Sequence, residues 1–152
     1  MNIFVVETDP ILAAQALCDK HIVKMPLETA QMLCAVHWLH DSEAPYRLTH
    51  KNHPCTKWAA YNNANYNWLV KHGIALCKEY TARYGRRHKC QDIIEWAKAN
   101  KPKTLEHGQL TEQPQCMPDD CKSDSTVEAY RSYYRKHKQH IALWKRNKPV
   151  WF

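Results

Sequence analysis

A chain of 152 residues with 44% hydrophobic content is long enough for one packed core and too short for two comfortable ones, so a single domain over 1–152 is expected. Six Trp, eight Tyr and only three Gly argue against disorder and against a glycine-rich phosphate loop, and no apolar run approaches the roughly 18 residues needed to cross a bilayer. The formal charge of +7 is uneven: residues 1–50 hold six acids and three bases, whereas 83–103 and 124–152 each hold seven bases and two acids. Two basic segments on an otherwise balanced chain form a polyanion footprint.

Residues 2–6 (Asn-Ile-Phe-Val-Val) read as a short extended entry. Thr8-Asp9-Pro10 then offers an N-cap and a proline at the first helical position, which predicts a helix running to about residue 23. Pro26 starts or kinks the next segment, in which Leu27, Ala30, Met32, Leu33, Val36 and Leu39 predict a mostly buried helix ending near His40. Residues 41–54 are a polar loop with Pro45, His50 and His53. Thr56 is a candidate cap for the longest helix, 56–84, stopped by Gly85, with Gly73 as a close-packing point and an Asn cluster (62, 63, 65, 67) on its surface. A helix over about 90–99 follows the basic Arg86-Arg87-His88-Lys89 turn, and 100–124 is a long irregular segment of the kind that usually serves a function. Ser125-Thr-Val-Glu128 is a capping box that opens the last helix, predicted over 126–146. The fold class is therefore all-α, about five helices without a sheet, with a short extended N-terminus and a long loop before the last helix.

Seven cysteines (18, 34, 55, 77, 90, 116, 121) form no C-x-x-C pair, and three of them lie in apolar helical stretches, which fits a reducing cytosol better than a disulfide scaffold. The N-terminus carries neither a basic run nor a cleavage site, and a cytoplasmic location is expected.

The most telling chemistry lies in residues 18–31. His21 and Glu28 are seven residues apart, two turns of one helix, so their side chains would share a face about 10 Å apart. A Glu two residues after a Pro is also an ordinary first-turn acid, and His21 an ordinary helix histidine. On the last helix Arg131, Arg135, Lys138 and Lys145 flank the apolar stripe with Tyr130, Tyr133 and Tyr134 among them, and Arg83, Arg86, Arg87, Lys89 and Lys24 add a second group. Interleaved cations and aromatics suit phosphates and unpaired bases, and they make nucleic acid, double-stranded DNA first, the expected partner. His37-x-x-His40 and His50-x-x-His53-x-Cys55 have ligand types but no zinc-finger spacing, so no metal and no cofactor is assigned. One further nucleophile is the α-amino group of Met1: α-amines, with an ordinary pKa of about 7.7 to 8.0, keep a neutral fraction that lysines lack, and a neutral amine can attack a sugar C1′ to form a Schiff base.

These residues resemble the phage endonuclease V type of pyrimidine-dimer DNA glycosylase. The resemblance rests on an extended N-terminus leading to Asp19, His21 and Glu28, on Tyr66-Asn-Trp-Leu-Val-Lys through Ile74-Ala-Leu-Cys-Lys-Glu to Gly85, and on Tyr130-Arg-Ser-Tyr-Tyr. It implies an all-helical enzyme whose N-terminal amine displaces a damaged base through an imine at C1′, while the Glu assists the sugar chemistry and strand β-elimination. Met1, Glu28 and His21 are then the catalytic candidates; if Met1 is removed, Asn2 supplies the amine. Where the family carries arginines beside and three residues after the Glu, this chain has Leu27 and Gln31.

Three readings follow. The first is a DNA glycosylase/AP lyase acting through the N-terminal amine and Glu28, as a monomer. The second is a non-catalytic nucleic-acid-binding protein. The third is a metal-dependent hydrolase or base-modifying enzyme using His37, His40, His50 and His53.

Overall fold

The computed structural model describes residues 1–152 and contains six α-helices and no strand. They are α1 (Pro10–Gln15), α2 (Asp19–Leu39), α3 (Pro54–Tyr61), α4 (Asn63–Tyr84), α5 (Gln91–Ala99) and α6 (Thr126–His137), with short 3₁₀ turns at Asp119–Cys121 and Gln139–Ile141. The class is the expected one; the segmentation differs in three places, each for a long-range reason.

The first helix stops at Gln15 instead of running to 23. Asp9 caps it, accepting from the amides of Ile11 and Leu12, with Pro10 at its first position. Its last carbonyls are taken from outside: Arg83 of α4 donates to the carbonyls of Gln15 and Leu17 at 2.9 and 2.8 Å, and Trp144 Nε1 donates to that of Ala16 at 3.0 Å. With its terminal acceptors satisfied elsewhere, the chain turns and restarts at Asp19. α2 then runs unbroken through Pro26, which supplies no amide for the carbonyl of Ile22, so His21 and Glu28 do lie on one helix.

The predicted 56–84 helix is two helices. His53, not Thr56, is the first cap, its Nδ1 accepting from the Cys55 amide at 3.1 Å, and Pro54 fills the first helical position. Asn62 then leaves helical geometry (φ −157°, ψ 172°) and caps α4 through Asn65 N–H. The Asn cluster explains the break, because it straps the 100–124 segment over the joint. Asn62 donates to the Gln109 carbonyl, Asn63 accepts from the Gly108 amide, and Asn65 exchanges hydrogen bonds with Thr111. An irregular segment can pack there because its backbone polar groups find these side chains. Gly85 (φ 71°) ends α4 in the left-handed conformation, as expected.

α4 is the central helix, packed by α1, α2, α3 and α5. At Gly73 a Cβ would meet Thr29 Cγ2 of α2 at 2.8 Å and Ile94 Cγ2 of α5 at 3.0 Å, so glycine sets how closely the three helices approach. The core joins Leu69, Leu76 and Tyr66 of α4 to Ile22 and Leu33 of α2, Ile94 of α5 and residues 3–6 of the N-terminal segment.

The last helix keeps its Ser125 cap, which accepts from Glu128 N–H, but ends at His137 rather than 146. Beyond it the backbone is drawn back to the start of α2: the Asp19 amide donates to the Leu143 carbonyl at 2.8 Å and Asp19 Oδ1 accepts from the Lys145 amide at 3.0 Å. All seven cysteines are free. No helix is long and apolar enough to cross a membrane.

Candidate active site

The N-terminal segment is buried although it forms no strand, and side chains from distant elements replace ladder partners. Arg131 Nε donates to the Val6 carbonyl at 2.9 Å. Phe4 stacks on His21 with ring centroids 4.1 Å apart and meets Tyr130, Tyr133 and Tyr134 of α6. Asn2 fixes the first turn of the path: its Nδ2 donates to the Cys116 carbonyl at 2.8 Å, and its Oδ1 accepts from Ile3 N–H at 2.8 Å and from the Tyr130 hydroxyl at 2.7 Å.

This path delivers the Met1 amine to Glu28. The nitrogen lies 3.1 Å from Glu28 Oε1, with the two side chains 2% and 13% exposed. Two opposite charges at this distance and burial attract far more strongly than a surface pair, and each lost hydration on folding, so each depends on the other. His53 lies beside them; burial above all, then the charges of the Met1 amine and His50, lower its pKa, against the opposing pull of Glu28. Cys55 and Cys116 flank the amine as well, their sulfurs 3.7 Å apart. Cys55 is pushed up by its hydrogen bond to Cys116 and by burial, and Cys116 is drawn down as its acceptor and by the cations of Lys122 and Met1. A carboxylate and an amine held together with water largely excluded can pass protons and attack an electrophilic carbon.

His21 does not join this group. Its Nδ1 is hydrogen-bonded to the Tyr134 hydroxyl at 2.5 Å beneath Phe4, and burial together with Lys138 lowers its pKa to about 3. The ring is thus packed between Phe4 and Tyr134, apart from the Met1–Glu28 pair.

Three of the expected nucleic-acid contacts, Arg83, Tyr130 and Tyr134, are buried. Arg83 is buried and committed to Glu79, Asp19 and the carbonyls of Gln15 and Leu17. Tyr130 and Tyr134 are fully buried, because their four-residue spacing puts both on the inward stripe of α6. Arg87 is exposed but paired with Asp92 and Glu95 at 2.5 and 3.0 Å, and Arg86 donates to the Tyr80 hydroxyl. Lys24 and Lys89 are exposed and neighbouring, since His88 bonds the Val23 carbonyl at 2.8 Å. On α6, Arg131 pairs with Glu7 at 2.9 Å, Lys138 lies over the Tyr133 ring at 4.7 Å, and Arg135 is exposed, donating to the Trp151 carbonyl. Exposed Lys145 lies over Tyr84 at 5.4 Å.

The histidines proposed as a metal cluster are dispersed. His37 bonds Tyr66, His40 bonds Thr104 and the Ala60 carbonyl, and His50 bonds Thr49; His53 alone of the four reaches the amine. Arg47, and the anchoring of the N-terminal segment by the Asn2 side chain, were not anticipated from sequence. Leu27 and Gln31 line a cleft of about 490 Å³ with Tyr46, Arg47 and Thr49 of the loop before α3, so a cation does stand by those two positions, supplied from another segment. Nothing local marks Arg47 or Cys116; the His53-Pro54 pair, a cap followed by a first-turn proline, does mark the true start of α3.

The chain is thus all-helical, carries a net charge of +7 and encloses its N-terminal amine against a carboxylate. The sequence pattern of the pyrimidine dimer DNA glycosylase family matches residues 1–92, more than half of the chain, which therefore belongs to that family of DNA repair glycosylases. No curated protein and no solved structure matches it significantly.

Proposed function

We propose that the protein is a DNA glycosylase with AP-lyase activity in which the Met1 amine is the nucleophile and Glu28 its proton-transfer partner. The observation that carries this reading is the 3.1 Å contact between Met1 N and Glu28 Oε1 in a nearly closed corner. Glu28 takes a proton from the ammonium; the neutral amine attacks C1′ of a damaged nucleotide, and the C1′–N bond breaks with its electron pair leaving on the base. The departing base takes the proton held by Glu28. One of the two protons on the adduct nitrogen then passes through Glu28 to the ring oxygen as the C1′–O4′ bond breaks, leaving a protonated imine. Glu28, again a carboxylate, removes a C2′ proton, and β-elimination expels the 3′ phosphate. Access to C1′ requires the nucleotide to leave the stack. His21 acts through Phe4 as a positioning residue. Lys24, Lys89, Arg135 and Lys145 are the exposed cations that hold the duplex backbone, and Arg47 contributes at the cleft beside Glu28.

Borohydride trapping tests this. With a duplex carrying an abasic site, the chain is expected to form a covalent adduct that maps to Met1 in the N-terminal peptide. Absence of the adduct, or an adduct that persists after the α-amine is acetylated, removes the amine from the mechanism and leaves the non-catalytic binding protein as the better reading.

A further inference from the structure

The three side chains around the Met1 amine that the glycosylase chemistry leaves unused have a geometry of their own. His53 is the cap of α3, Cys55 lies in its first turn, and Cys116 arrives from the strapped segment 61 residues further along the chain. Ligand atoms of the three lie within 4.8 Å of one another, and the two sulfurs are 3.7 Å apart. A tetrahedral ion with metal–sulfur bonds of about 2.3 Å holds two sulfurs about 3.8 Å apart, so the pair already stands at the separation a shared ion requires.

Cys116 does not get there by chance of a loose loop. Its amide donates to the Tyr130 hydroxyl at 3.2 Å and its carbonyl accepts from Asn2 Nδ2 at 2.8 Å, while Tyr130 donates in turn to Asn2 Oδ1 at 2.7 Å. Both backbone groups of the residue are thus held by an outer ring that includes α6 and the N-terminal segment. Supporting hydrogen bonds of this kind orient metal ligands. The donor set also selects the ion. Two thiols and an imidazole, with no carboxylate among them, suit a thiophilic divalent cation and not magnesium or calcium, which demand oxygen.

We propose that His53, Cys55 and Cys116 form a binding site for a divalent cation of the zinc class, whose binding releases the two thiol protons and clamps the 100–124 segment to α3 and the N-terminal segment. The site stands independently of the glycosylase reading.

The test uses the full chain, reduced and stripped of metal by a chelator, titrated with Co²⁺ and then Zn²⁺. One equivalent of Co²⁺ should bind with thiolate charge-transfer absorption and the visible bands of a tetrahedral ion, Zn²⁺ should displace it, and Zn²⁺ should raise the melting temperature. His53→Asn keeps a side chain that caps α3 but removes the imidazole, and Cys116→Ser removes one thiolate. Each should weaken Zn²⁺ binding by more than about 100-fold, beyond what loss of a merely supporting group costs. The proposal is overturned if the wild-type chain binds no stoichiometric ion, if both variants bind as tightly as wild type, or if the untreated chain is 2 Da light, the mass of a Cys55–Cys116 disulfide, and binds no ion once reduced. None of these readouts depends on DNA or on turnover, so a failure of the glycosylase reading leaves them intact.

Discussion

Positive charge is handled in opposite ways at the two ends of the chain. At Met1 a single amine is enclosed with a single carboxylate, the pair 2% and 13% exposed. Across 124–152 seven lysines and arginines are spread out, and several are already held: Arg131 by Glu7 and Glu128, Lys136 by Asp120, and Arg146 by Glu79. The enclosed pair has no substitute, because water cannot reach in to replace a lost partner. Surface cations are interchangeable: solvent and salt screen them, and the loss of one is shared by the rest. On the proposed reading, chemistry concentrates where charge is scarce, and DNA affinity where it is plentiful.

Glu28→Gln should sharpen this contrast most. Turnover of a lesion-bearing duplex should fall by about 10² to 10⁴, the usual contribution of a positioned proton-transfer group. DNA affinity, carried by phosphate contacts elsewhere, should stay within about tenfold of wild type. Single-turnover kinetics and fluorescence anisotropy separate the two, and a parallel collapse of affinity would erase the distinction between the ends.

Arg83→Ala comes next and acts on stability. Its guanidinium is fully buried between Glu79 and Asp19, so its removal strands buried acceptors at a cost of about 3 to 5 kcal/mol. For a chain of this size that corresponds to a melting point lower by roughly 10 °C, read by thermal denaturation. A variant that melts like wild type but loses DNA affinity would return Arg83 to the binding surface.

Arg135→Ala should have the smallest effect: uniform weakening of DNA binding across sequences and a salt slope reduced by about one, with turnover on saturating DNA unchanged. A large loss of turnover would mean that a surface cation does share in the chemistry.

What could be read in the sequence was whatever is decided locally. The Asp9-Pro10 start, the Ser125 cap and the Gly85 stop all depend on residues within a turn of one another, and all three stand. The breaks at 16–18, at Asn62 and after His137 depend on partners far along the chain: Arg83 and Trp144 for the first, Gln109 and Thr111 for the second, Asp19 for the third. The same division runs through the site. Glu28 stood out because its spacing from His21 is a property of one helix, yet the partner it meets is the Met1 amine. Helical spacing places two side chains on one element, but it does not say which other element will pack between them; here Phe4 claims His21. Likewise Arg83 and Arg87 look alike as letters, and only the packing of α1 against α4 distinguishes a buried anchor from a surface cation.

Asn2 touches Tyr130, and Trp144 touches Ala16, across 128 residues of chain in each case. Contacts of such span form late, because a long loop must close before they return any free energy. Helices α2 to α5 can gather around Gly73 from neighbouring sequence, whereas the amine corner waits for α6 to dock. In a cell, where the N-terminus leaves the ribosome first, Asn2 spends most of synthesis without Tyr130. The Met1 amine is thus made early in synthesis and is among the last groups to be set in place.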